Sequence, residues 1–162
     1  MQITTRIDYA IYAMLAIAEA DPKPVPTRKV ADAGQISTSY LYSILNELRR
    51  AGLLSVRRGQ EGGYTLARAA SELTIKQIVE AVDGGLIETV PAPHGVAPRD
   101  GIAHLPAVWL AAHTAMLDVL AQVTLAHLLT NQIPEHVREL VAQAPTEARP
   151  RSLPQLEAVT RR

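Results

Sequence analysis

Six of the seven residues from 37 to 43 carry a hydroxyl: Ser37, Thr38, Ser39, Tyr40, Tyr42 and Ser43. Hydroxyl groups both donate and accept, so they suit phosphate oxygens and base edges alike. A second cluster, Arg57, Arg58, Gly59 and Gln60, brings two guanidinium groups to a glycine-containing turn. Alternation along a strand puts Arg57 and Arg58 on opposite faces. Arg58, next to the turn, is the better placed for a minor-groove or phosphate contact. Arg28, Lys29, Arg49 and Arg50 are either phosphate contacts or plain surface charge. Cationic contacts to phosphate release counterions and would make binding strongly salt-dependent. The candidate nucleic-acid-contacting set is Thr27, Arg28, Ser37, Thr38, Ser39, Tyr40, Tyr42, Ser43, Arg49, Arg58, Gly59 and Gln60. Structural roles compete for some of them. Ser37 can cap a helix and touch DNA at once, Tyr40 is expected partly in the core, and Tyr42 interrupts no apolar stripe and is expected at the surface.

The elements that hold these groups follow from periodicity. Leu41, Ile44, Leu45 and Leu48 recur at helical spacing, so residues 37–51 read as a helix that Gly52 stops. Residues 53–57 and 64–67 read as short strands around Gly59-Gln60-Glu61-Gly62-Gly63. Upstream, Thr27 is placed to cap a short helix over 28–33 that Gly34 terminates. The two helices and their turn form a helix-turn-helix, and the strands add a basic wing. A first helix over Thr5–Ala20 carries Ile7, Ala10, Ile11, Met14, Leu15 and Ile17 on one face, and the prolines at 22 and 24 end it. Thr74 caps a helix over Ile75–Val82, which Asp83-Gly84-Gly85 breaks. Residues 84–104 read as a proline- and glycine-rich loop, functional or disordered. A long helix is expected over 105–131, with Pro106 in its first turn and a stripe of Val108, Trp109, Ala112, Met116, Val119, Leu120, Val123 and Ala126. A short helix over 134–142 and a disordered tail complete the chain.

With 162 residues there is room for one core domain and an appendage. Phe is absent and aromatics make up 4%, so the core must be built from Leu, Ile, Val and Ala. No run approaches 18 strongly apolar residues, and no signal peptide is visible, so a cytoplasmic location is expected. The absence of cysteine excludes disulfides and thiolate ligands. A net charge of zero conceals an asymmetry. Residues 1–68 hold nine Lys/Arg against six Asp/Glu, and residues 69–162 hold seven against ten. The basic excess lies with the proposed DNA-reading half. No G-x-S-x-G elbow, paired-carboxylate site or phosphate-binding G-x-x-x-x-G-K is present, so an enzyme is not expected.

The segments TTRIDYAIYAMLAIA, ISTSYLYSILNELRRAGLL, RRGQEGGYTLA and TIKQIVEAVDGG, with the tryptophan of AVWLAA, span about residues 3–130. Together they resemble the Rrf-two family of bacterial winged-helix regulators, of the IscR and NsrR type. The resemblance implies a mainly α fold, a winged helix-turn-helix domain with a two-stranded β wing plus a long C-terminal dimerisation helix. It implies a DNA-binding domain over 1–83, a sensory loop over 84–104, a dimerisation helix with a short extension over 105–142, and a tail over 143–162. It also implies a homodimer on a pseudo-palindromic double-stranded DNA operator, with Val108, Trp109, Ala112, Met116, Val119, Leu120 and Val123 in the interface. The position matching Tyr42 takes part in base discrimination in IscR-like members, so tyrosine there implies a different operator.

Many members hold an iron–sulfur cluster, 2Fe–2S or 4Fe–4S, on three cysteines in the loop. Here that loop reads PAPHGVAPRDGIAHLPAVW. Ala97 and Ala103 fall on the second and third cysteine positions, and Ala92 lies near the first. Asp8 matches an aspartate that gives a fourth ligand from the partner subunit in NsrR-like members. Either a cluster-binding parent had its cysteines replaced by alanine, the usual isosteric deletion of a thiolate, or this is a natural cluster-free member sensing another signal. In both cases no cofactor is expected in this chain. His94, Asp100 and His104 could bind a metal weakly but suit an ordinary polar loop. His113 and His127 read as interface or surface histidines. The expected function is a sequence-specific transcriptional regulator; the alternative is a winged-helix protein–protein interaction module.

Overall fold

The computed structural model describes residues 5–59, 61–83 and 104–145. Gln60, Ala92, His94, Ala97, Asp100, Ala103 and most of the expected tail lie outside them. The described chain runs α1 (Thr5–Ala20), α2 (Thr27–Gly34), α3 (Thr38–Arg50), β1 (Leu54–Arg57), β2 (Gly63–Leu66), α4 (Ile75–Val82), α5 (Leu105–Gln122), α6 (Leu125–Leu129) and α7 (Glu135–Gln143). It is mainly helical with a two-stranded antiparallel wing.

α1 is central to the packing and touches α2, α3, α4, α6 and β2. It buries Ile7, Ala10, Ala13, Met14, Ala16 and Ile17. The three alanines let neighbouring backbones approach where bulkier side chains would hold them off. α3 presses Leu41, Ile44, Leu45 and Leu48 against α1, and all four are fully buried. Each such burial contributes about 1.5–3 kcal/mol. Among the described residues no polar or charged side chain is fully buried, so the core is the aliphatic one that the composition demands.

The wing pairs Leu54 with Leu66 and Arg57 with Gly63 at its two ends. Val25 adds a bridge to it. The Val25 N–H donates to the Tyr64 carbonyl and the Tyr64 N–H to the Val25 carbonyl, each at 2.9 Å. This approach explains Gly63, where a Cβ would stand 2.5 Å from the Val25 carbonyl carbon.

Two local expectations are corrected. Thr27 is the first residue of α2, not its cap, and Pro26 holds the cap position without a side-chain bond. Gly34 lies inside α2, and Gln35, with φ of 52°, makes the left-handed stop. Gly34 is needed for packing, since a Cβ there would meet the Tyr12 ring at 2.6 Å.

The C-terminal half differs most from the sequence reading. The expected single helix over 105–131 ends at Gln122, and Val123 is extended. Thr124 starts α6: its hydroxyl accepts from the His127 N–H, and the His127 Nδ1 accepts from the Thr124 N–H. α4 starts in the same way, with Thr74 and Gln77 forming a reciprocal cap. The two capped starts lie antiparallel. Ile75 N–H donates to the Val123 carbonyl and Leu125 N–H to the Leu73 carbonyl, both at 2.8 Å. These two backbone bonds and the second cap outweigh continuation of the helix. Among the described residues no helix is long and apolar enough to cross a membrane.

Candidate nucleic-acid interface

With its apolar stripe turned inward, α3 leaves Thr38, Ser39, Tyr42, Ser43, Arg49 and Arg50 exposed. Ser37 occupies the cap position but forms no cap bond, and its hydroxyl lies 2.9 Å from that of Ser39. The α3 start therefore offers open N–H groups and the positive end of the helix dipole, a combination that favours phosphate.

Beside this face lies an open groove between helix and wing. Tyr42, Asn46 and Arg49 of α3 form one wall, and Ser55 and Val56 of β1, Arg58, and Tyr64 of β2 form the other. Tyr42 is 55% exposed. No side chain of Arg49, Arg58 or Asn46 has an ion pair or hydrogen bond among the described residues. Burial pushes the Tyr64 phenol above its ordinary range, with Tyr42 adding to the shift and Arg49 opposing it. Gly59 turns the wing at φ of 121°, in the region that side chains avoid.

The structure brings Tyr42, Arg49 and Arg58 together and leaves Thr27 and Arg28 out of the groove. Arg28 faces Asp32 at 3.8 Å in an exposed pair that contributes little. Tyr40 is 38% exposed, at the margin of the core. Its ring meets Tyr9 edge-on at 6.0 Å and lies under the Arg6 guanidinium at 5.6 Å. Asn46, Ser55, Val56 and Tyr64 were not among the expected site residues. Asn46 was legible in principle, since it follows Tyr42 by four positions and precedes Arg49 by three.

Arg6 is the other group missing from the expected set. Its Nε–H donates to the Val82 carbonyl at 3.1 Å, and its terminal nitrogen reaches the Ser43 hydroxyl at 3.4 Å and the Glu47 carboxylate at 2.5 Å. The Glu47 hydrogen bond is the main cause that raises the Arg6 pKa above its ordinary value.

The first half of α5 is apolar and open, with Leu105, Val108, Trp109 and Leu110 being 42, 57, 50 and 63% exposed. Ala112 is exposed, and Met116, Val119 and Leu120 are half-buried. Val123, expected at an interface, is instead 8% exposed within this protomer's own core. The helix break also separates His113 from His127, which serves the α6 cap rather than a shared helix face.

A thiolate-held cluster does not fit this chain. It contains no cysteine, and alanine stands at positions 92, 97 and 103. Asp8 is exposed on α1. Among the described residues no group of three His, Asp or Glu could hold a metal ion.

Comparisons with known proteins agree with the geometry. The family model Rrf2, described as iron-dependent transcriptional regulator, matches residues 3–131. Rv1287 of Mycobacterium tuberculosis (strain H37Rv), which carries an HTH-type transcriptional-regulator name, is 35% identical over 142 residues, 86% of this chain and 88% of its own. The HTH-type transcriptional regulator IscR of Escherichia coli (strain K12 / DH10B) is 32% identical over 133 residues, 82% of each chain. The structure of CymR, the global cysteine regulator of B. subtilis, superposes with a TM-score of 0.66 at 25% identity, covering 82% of this chain and 98% of that one. A helix start without a side-chain cap beside an arginine-bearing wing, on a chain that the family model matches over residues 3–131 and such relatives match over more than four fifths of its length, makes this protein a member of the Rrf2 family of DNA-binding transcriptional regulators.

Proposed function

We propose that the chain acts as a cytoplasmic homodimer that reads a pseudo-palindromic operator through the α3–wing groove. The observation that carries this reading is the groove itself, which Arg49, Arg58 and Asn46 line with no side-chain hydrogen bond or ion pair to the described residues. Open N–H groups at the α3 start, with Ser37, Thr38, Ser39 and Ser43, anchor phosphates and fix register. Tyr42 and Asn46 face base edges in the major groove, where a carboxamide suits adenine. Arg58 at the wing reaches the adjacent minor groove or backbone. Thr27 and Arg28 contribute at most outlying phosphate contacts.

Dimerisation is assigned to the open first half of α5. Leu105, Val108, Trp109 and Leu110 form an apolar face that a second copy would cover. Leu120 and Val123 are left out of this interface, because they pack within their own protomer. Two copies joined there would present two α3 helices to half-sites roughly one helical turn apart. With alanine at 92, 97 and 103, operator affinity in this chain does not depend on an iron–sulfur cluster, whether the thiolates were replaced or never present.

The interface is tested by sedimentation of Val108→Glu/Trp109→Glu. The unmodified chain should sediment as a dimer. The variant should run as a helical monomer and lose about 100-fold in affinity for the operator, because tethering of the second reading head is gone. A monomeric parent, or a variant that remains dimeric, would remove α5 from the account.

A further inference from the structure

Arg6 stands on the first turn of α1 yet touches three other places in the fold. Its Nε–H holds the carbonyl of Val82, the last residue of α4. One terminal nitrogen reaches both Ser43 and Glu47, which are four apart on α3. Its guanidinium carbon lies 5.6 Å from the centre of the Tyr40 ring, which also meets Tyr9 edge-on. Tyr40, Ser43 and Glu47 follow one another along one flank of α3, and Ser43 adjoins the groove wall formed by Tyr42, Asn46 and Arg49. One guanidinium therefore holds the rotation of α3 about its own axis from beside the groove-facing residues. It refers that rotation to the end of α4.

A planar fork is suited to this task. Nε–H and the terminal N–H point in fixed, different directions, so one bond set constrains the other. Lysine has a single donor centre on a flexible stem and could satisfy either the Glu47 carboxylate or the Val82 carbonyl, not both with the same geometry. The Arg6–Glu47 pair is partly shielded, with side chains 25% and 32% exposed. Solvent screens it less than the exposed Arg28–Asp32 pair.

We propose that Arg6 is a positioning residue for sequence reading: by bridging Val82, Ser43, Glu47 and Tyr40 it sets the angle at which α3 presents Tyr42 and Asn46 to base edges and Ser43 to the backbone, and it links that angle to the C-terminal end of α4. Ser43 gains a second role, since its hydroxyl is oriented by Arg6 before DNA arrives. A displacement of the α4 end would be transmitted to the reading face through the hydrogen bonds on either side of one planar guanidinium.

The inference rests on the DNA-reading assignment above, and its test separates the two. A duplex is first enriched from a random library by the unmodified chain. Affinities for it and for a fixed unrelated duplex are then measured for the parent, Arg6→Ala and Arg6→Lys, well below each thermal midpoint. Expected are a fall of about tenfold in the ratio of specific to unrelated affinity for both variants, binding to the unrelated duplex unchanged, and a thermal midpoint largely restored in Arg6→Lys. A merely structural staple would lower the midpoint and leave the ratio alone. Ratios within twofold of the parent in both variants would overturn the proposal. So would selectivity lost in Arg6→Ala but kept in Arg6→Lys, since charge alone would then suffice. A parent chain that enriches no sequence would take down the DNA-reading assignment, and this inference with it.

Discussion

Arg49→Glu combined with Arg58→Glu is expected to abolish retention of operator DNA at moderate salt, a loss of about 100-fold or more. Each cationic contact of this kind contributes about 1–3 kcal/mol, and reversal adds repulsion from the phosphates to the lost attraction. Both side chains are exposed and carry no ion pair among the described residues, so folding should change by no more than about 0.5 kcal/mol per site. Titration of fluorescent duplex against the variant, with its thermal melt run alongside, checks both halves. Undiminished affinity in the folded variant would mean that the groove does not face DNA.

The second large effect concerns stability. Leu48 is fully buried in the last turn of α3, within the cluster that joins α3 to α1 and the wing. Leu48→Ala leaves a cavity there and should cost about 2–5 kcal/mol. That is a large share of the total for a domain of this size, typically about 5–15 kcal/mol. Urea unfolding should show a lowered midpoint with an unchanged slope. The truncation also loosens the seat of the reading helix, so operator binding should weaken at temperatures where the parent is unaffected. A midpoint equal to the parent's would show that the α3 stripe is not the weight-bearing core described above.

Much of the DNA-binding half was legible because local signals and tertiary packing agree there. The spacing of Leu41, Ile44, Leu45 and Leu48 is helical, and all four are buried. Thr74 with Gln77 is a standard capping pair, and the helix begins at the next residue, Ile75. α1 and α4 fall at the expected boundaries, and the wing strands lie within one residue of theirs.

The C-terminal half was misjudged for a physical reason. An apolar stripe runs unbroken from Val108 to Ala126, and nothing in it demands a stop. The break at Val123 comes from Thr124 with a histidine in place of the usual Glu or Gln, and from pairing with a segment about fifty positions away. Neither signal is visible to helical periodicity. Arg6 was missed likewise, because its three partners lie 37, 41 and 76 positions distant. Charge on a first helical turn reads as solvated until the fold brings α3 and α4 beside it. Tyr40, expected partly in the core because it adjoins the stripe, stands at the stripe's margin with its ring against Tyr9 and Arg6.

The central claim is that the Tyr42 face of α3 lies against base edges of duplex DNA. A photo-crosslinking amino acid installed at position 42 measures this directly, using a duplex enriched by the unmodified chain. The account predicts covalent capture of bases within each half of an inverted repeat, and loss of capture when Arg49 and Arg58 are both reversed. Capture that is absent at position 42 while the chain remains bound to the duplex would contradict it.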